Sequence, residues 1–143
     1  MGAGKAAILE KLDQISDGLG EMEIIGRLYL LSRLEHSMAR CKREGTMPQK
    51  SGKHPGRYAL EWSPDAIDDL DAAGMVAEEL RQQAKALRKH PQIWAVIPEL
   101  GRESFREYQY KKCNIIYEIT EATILVHEIY NCSCIFDRSF YVL

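Results

Sequence analysis

Three strand-like runs near the C-terminus leave this chain little freedom in how it folds. Residues 104–110, 113–119 and 123–130 are rich in β-branched and aromatic side chains, and only Lys111-Lys112 and Thr120-Glu-Ala separate them. Connections of two or three residues cannot return a strand to its starting edge for parallel pairing, so the runs predict an antiparallel meander. Alternation then sorts the side chains. Ile115 and Tyr117 fall on one face and Ile116 on the other, while Ile124, Val126 and Glu128 alternate with Leu125, His127 and Ile129.

The segment before the meander reads as a strand followed by a helical hairpin. Arg57-Tyr-Ala-Leu-Glu-Trp alternates as an edge or second strand. Ser63-Pro-Asp supplies an N-cap, a proline at the first helical position and an acid in the first turn. The spacing predicts a short helix over residues 64–73, with Ala66, Ile67 and Leu70 inward and Gly74 as its stop. A second helix carries Val76, Leu80, Ala84 and Leu87 and ends at His90-Pro91. Gln92–Leu100 reads as a loop anchored by Ile93, Trp94, Val96 and Ile97.

Residues 1–45 are helical and amphipathic. Ile8, Leu9, Leu12 and Ile15 share one helical face, and Gly18 and Gly20 interrupt it. A longer pattern from Glu21 to Glu44 places Ile24, Ile25, Leu28, Leu31, Leu34, Met38 and Cys41 in one stripe, with Lys42 and Arg43 at the negative end of the helix dipole and Gly45 as the stop. A stripe over six turns needs a partner surface, either the rest of the chain or the seam of a homodimer. Residues 46–56 hold two prolines and two glycines without an aliphatic run and read as a linker. The organisation expected is therefore a helical segment over 1–45, a linker over 46–56 and an α+β domain over 57–143.

Charge narrows the partners. Residues 1–50 hold eight Lys/Arg against seven Asp/Glu, and residues 51–143 hold eleven against fourteen. A protein that grips nucleic-acid phosphates usually carries a clear positive excess. No run of 18 apolar residues exists, so no membrane helix is expected. Charges near the N-terminus stand where a signal peptide needs its apolar core, which points to the cytoplasm. Cys41, Cys113, Cys132 and Cys134 are scattered without a Cys-x-x-Cys pair, so the sequence predicts neither a metal site nor a disulfide framework. No cofactor motif is present: Gly2-Ala-Gly-Lys lacks the first glycine of a phosphate loop, and His127-Glu-Ile-Tyr-Asn lacks the second histidine of a zinc protease.

The order of segments over about Arg57–Phe140 resembles the RelE/ParE family of bacterial toxins. The resemblance rests on a strand, a two-helix hairpin, a loop with Pro98-Glu-Leu-Gly-Arg, then strands with Phe105-Arg-Glu-Tyr, Asn114-Ile-Ile-Tyr and Ile124-Leu-Val-His, and a tail with Phe136-Asp-Arg-Ser-Phe. It implies an α+β fold: a small antiparallel twisted sheet packed against a helical hairpin, with the opposite sheet face and the tail as working surface. The matching positions are Arg102, Arg106, Lys111, Lys112, His127, Arg138 and Tyr141. Of these, Arg138, His127, Arg106 and Tyr141 are the catalytic candidates, and Arg138 is the foremost. The bland alternatives are an Arg106–Glu107 ion pair, a satisfied sheet histidine at His127 and a solvated turn at Lys111-Lys112.

The resemblance implies two activities. Members of the RelE kind cut mRNA on the ribosome with several basic side chains, whereas here Glu118, Glu121 and Glu128 occupy the last two strands. Members of the ParE kind resemble inhibitors of DNA gyrase, and the acidic strands fit that kind better. Leu9–Pro48 is similar to the toxin-binding tail of a Phd/YefM-type antitoxin, which implies an antitoxin-like segment fused to its toxin. Ile24, Leu28, Leu31, Leu34 and Met38 would then grip the toxin domain, and Phe136 and Phe140 its target. A third reading is a non-toxic module that dimerises through residues 21–44.

Overall fold

A computed structural model describes residues 2–48 and 58–130. In chain order the elements are α1 (Ala3–Gln14), α2 (Glu21–Glu44), β1 (Met47–Pro48), β2 (Ala59–Trp62), α3 (Pro64–Ala73), α4 (Ala77–Ala86), β3 (Ala95–Val96), β4 (Phe105–Tyr110), β5 (Cys113–Ile119) and β6 (Thr123–Tyr130). The class is α+β, with a sheet in the order β1-β2-β6-β5-β4-β3. The meander is antiparallel throughout, and its first turn places Lys111 in the left-handed region (φ 54°).

The pairing of β2 with β6 is parallel. Parallel neighbours need a long crossover, and here α3, α4 and the first strands of the meander provide it. Local alternation in residues 57–62 carries no information on that partner. Met47–Pro48, within the segment read as linker, forms a two-residue antiparallel bridge to Trp62 and Glu61, and the Thr46 hydroxyl donates to Glu61 at 3.0 Å. An edge strand is where a sheet tolerates proline.

Both faces of the sheet are covered. The α3–α4 hairpin buries Ala66, Leu70, Ala77, Leu80, Ala84 and Leu87 against Trp62, Ile115, Tyr117, Ile124, Val126 and Ile129. Ser63 caps α3 as its spacing predicts, accepting from the Ala66 N–H at 2.9 Å while donating to the His127 carbonyl at 2.6 Å. Val76 is a correction: it is 44% exposed, because a 3-10 turn over Gly74–Val76 shifts the phase and turns Ala77 inward instead. On the other face, Leu30, Leu31 and Leu34 of α2 join Ile15, Ile97, Phe105, Ile116 and Tyr130 in a second core.

Within the N-terminal helices the predicted stripes need two corrections. Ile15 is buried, but Ile8, Leu9 and Leu12 of α1 are exposed, because the covered side of the helix runs through Ala7 and Lys11, the latter paired with Glu35 of α2 at 3.0 Å. In α2, Ile25 is exposed while Leu30 and Ser37 are buried, so the dry face is rotated away from Ile25 and toward Leu30. Glu21–Glu44 otherwise has the bounds read from the sequence, and Gly45 (φ 79°) ends it in a conformation that favours glycine. No helix among the described residues is long and apolar enough to cross a membrane.

Candidate interaction face beneath the long helix

An irregularity in β6 sets the chemistry of the face under α2. The register pairs Ile116 with Glu128 and Tyr117 with Val126, leaving His127 as an extra residue. Such a bulge breaks strict alternation and re-aims side chains. Its effect here is that His127 and Glu128 both meet α2: His127 Nδ1 lies 2.8 Å from the Ser37 hydroxyl, and Arg33 donates to Glu128 at 2.5 Å. The cross-strand neighbours Glu107 and Ile116 share that face.

Three arginines of α2 run along this surface. Arg27 donates to both oxygens of Glu99 (2.7 and 2.6 Å) and both of Glu107 (2.8 and 2.7 Å). Arg33 donates to Asp69 at 2.9 Å and to Glu128, and its guanidinium lies over the rings of Tyr29 and Tyr130 at 5.5 and 5.1 Å. Arg40 donates to Asp65 at 2.9 Å, Asp68 at 2.6 Å and Glu44 at 2.7 Å. Steps of six and seven residues space these arginines by roughly 10 Å each along the axis. Each therefore bridges two acidic side chains contributed by the rest of the chain.

The acids respond to this environment. Burial pushes Glu128 up to about 9, helped by its hydrogen bond to Asp65 and opposed by Arg33. Burial alone would also raise Asp65, but hydrogen bonds from Glu128, His36 and Arg40 outweigh it and hold that carboxyl down at about 2. One proton thus resides on Glu128 and is shared toward Asp65, the usual outcome when two acids crowd one site. Glu99 is likewise lowered, its burial being outweighed by Arg27. His36, Asp65 and Glu128 each offer an atom within 4.8 Å of the others, the geometry of a cation site. Arg33 and Arg40 already occupy those carboxylates, so a metal ion would have to displace them.

The sequence candidates do not converge. His127 is 2% exposed, wedged between Ser37 and Glu118 (Nε2 to Oε1, 3.1 Å) and stacked near Phe105. The connectivity Ser37–His127–Glu118 is that of a nucleophile, base and orienting acid. Ser37 is completely buried, however, so no substrate carbonyl reaches its oxygen, which also donates to the His127 carbonyl at 3.1 Å. Arg106 pairs across to Tyr117 and therefore belongs to the opposite sheet face. It donates to the carbonyls of Glu103, Gln92 and Trp94 and pins the loop before β4. The expected Arg106–Glu107 ion pair does not form, because adjacent strand residues point to opposite faces and Glu107 meets Arg27. Arg102 lies over Phe105 at 5.9 Å, and Lys111 binds Glu79 at 2.6 Å. Arg138, Tyr141, Phe136 and Phe140 lie outside the described residues.

Of the gripping residues on α2, Leu31 and Leu34 are buried against the sheet side, and Ile24, Leu28 and Met38 pack at its margin. The arginine series escaped a reading based on apolar periodicity. A usable signal was present: Arg27, Arg33 and Arg40 recur at near-heptad spacing beside that stripe, and the remainder of the chain carries the acidic excess. A family model described as the ParE toxin of the type II toxin–antitoxin system parDE matches residues 60–133, more than half of the chain. The match starts within β2 and leaves α1 and α2 outside it. No curated protein and no solved structure matches.

Proposed function

The chain belongs to the ParE toxin family of type II toxin–antitoxin systems, and we propose that it is a toxin held inactive by its own N-terminal helices. The observation that carries this reading is the seating of α2. The helix buries Leu30, Leu31 and Leu34 on the sheet face opposite the core of the α3–α4 hairpin, binds Glu99, Glu107 and Glu128 there through Arg27 and Arg33, and reaches Asp69 of α3 at the edge through Arg33. A segment that occupies that face excludes whatever else would use it. Residues 1–45 then act as an antitoxin-like segment in cis, and an antitoxin in trans is the alternative occupant.

The reaction class we favour is inhibition by protein binding, with DNA gyrase as the target. Cleavage of mRNA needs positive groups around a phosphate in its transition state. The covered face supplies carboxylates instead, and Arg106 is engaged by three carbonyls on the other side. A full-length chain with Leu31→Asp and Leu34→Asp should expose the face. In a purified supercoiling assay this variant is expected to inhibit gyrase while the native chain does not. Primer extension on ribosome-bound message is expected to show no cuts with either. Codon-position cuts by the variant would replace the gyrase reading with the ribonuclease one, and inhibition of gyrase by both proteins alike would remove the role of α2 as a cover.

A further inference from the structure

The face under α2 pairs its carboxylates in a way that selects an occupant. We propose that this face is a reader of arginine-bearing amphipathic helices. Its exchange partner is a protein helix with arginines at i, i+6 and i+13 flanking an apolar stripe, not a nucleic acid strand. The inference rests on the reading of α2 as a cover and names what can take its place.

Three observations carry it. First, the acids come in pairs that converge on one guanidinium each: Glu99 with Glu107, Asp69 of α3 with Glu128 of β6, and Asp65 with Asp68, which lie one turn apart on α3. A planar guanidinium satisfies two carboxylates at once, as Arg27 does with four hydrogen bonds. A lysine ammonium is a point charge and cannot reproduce that fork. Second, an apolar strip of Ile97, Phe105, Ile116 and Tyr130 lies on the same face, so the occupant must bring an apolar stripe of its own. Third, a polyphosphate would face the carboxylates of Glu99, Glu107, Asp65, Asp68 and Asp69 and find no cationic partner there. Lifting the arginines leaves Glu99 beside Glu107 and Asp65 beside Asp68 without their cation at a partly buried surface, and like charges so placed repel. The face therefore changes occupants rather than standing empty, and a competitor has to supply the arginines it removes.

The test uses the full-length chain with Arg27→Gln, Arg33→Gln and Arg40→Gln, which loosens α2 without adding charge to it. Labelled peptide Glu21–Glu44 is titrated in, alongside the same peptide with all three arginines replaced by lysine and a single-stranded RNA oligonucleotide. The arginine peptide is expected to bind at least about tenfold more tightly than the lysine peptide, the difference between forked and point-charge pairing, and the RNA is expected not to bind. Native chain should bind the arginine peptide far more weakly, because its tethered α2 competes at a high local concentration. Equal binding of the two peptides, or RNA binding tighter than peptide, overturns the proposal. If the triple variant does not fold, hydrogen exchange on native chain with excess peptide decides the matter. The arginine peptide should speed exchange in α2 while β5 stays protected, and the lysine peptide should not; identical effects contradict it. Lost arginine preference in a chain whose α2 still controls gyrase inhibition would sink this inference and leave the cover intact. Retained preference without such control would do the reverse.

Discussion

Glu128 is 1% exposed between Arg33 and Asp65, and its raised carboxyl makes stability depend on pH in a direction that can be worked out. In the unfolded chain it titrates near the ordinary glutamate value of about 4.3. Between that value and about 9 the folded chain holds a proton that the unfolded chain has lost. Its contribution is therefore full at the acidic end of this window and falls as pH rises through it. Asp65 acts oppositely: its lowered carboxyl stabilises above the usual aspartate range, and that contribution fades as pH drops toward about 2. Glu128→Gln keeps a donor toward Asp65 and removes the titration. Urea midpoints measured from mildly acidic to mildly alkaline pH should fall for the native chain and fall less for the variant. Parallel pH profiles would show that Glu128 is charged when folded. Arg27 offers a second residue-scale test. Its side chain is 20% exposed and that of Glu99 5%, so Arg27→Ala should cost about 2 kcal/mol, below the ~3–5 for a fully buried pair. Arg27→Lys should recover only part of it.

Elements show which parts of the fold were local in origin. The bounds of α2, α3, β5 and β6 follow from short-range signals: the apolar stripe ended by Gly45, the Ser63-Pro64 start, and alternation between two tight turns. Ser63→Ala should cost about 1–2 kcal/mol, since it removes both the cap and the bond to the His127 carbonyl. A change under 0.3 kcal/mol, roughly what water at an exposed cap would leave, would mean the cap is dispensable. Leu34→Ala, at a site 1% exposed, should cost about 2–4 kcal/mol and speed exchange in α2 first. What periodicity could not reveal depends on distant neighbours. The parallel seat of β2 beside β6 is decided by a crossover. The bulge at His127 is decided by pairing with Ile116 and Tyr117. His127 and Arg106 looked like members of one site along the sequence, yet the sheet separates them onto opposite faces. The acids that the α2 arginines bind lie up to 95 residues away, beyond the reach of any local pattern.

At the scale of the whole molecule, a family domain carries a tethered helix held by both apolar burial and ion pairs. Ion pairs at partly exposed sites weaken with salt, whereas the leucine contacts do not. Raising ionic strength should therefore accelerate exchange in α2 more than in β5, and uniform change would assign the docking to apolar contact alone. The central claim is that α1 and α2 silence the domain they cover. Growth of bacterial cells on induction of residues 58–143, compared with the complete chain, tests it most directly. The account predicts arrest with residues 58–143, near-normal growth with the complete chain, and arrest again when the complete chain carries Leu31→Asp and Leu34→Asp. Equal growth in all three cultures, with each protein present and folded, would contradict it.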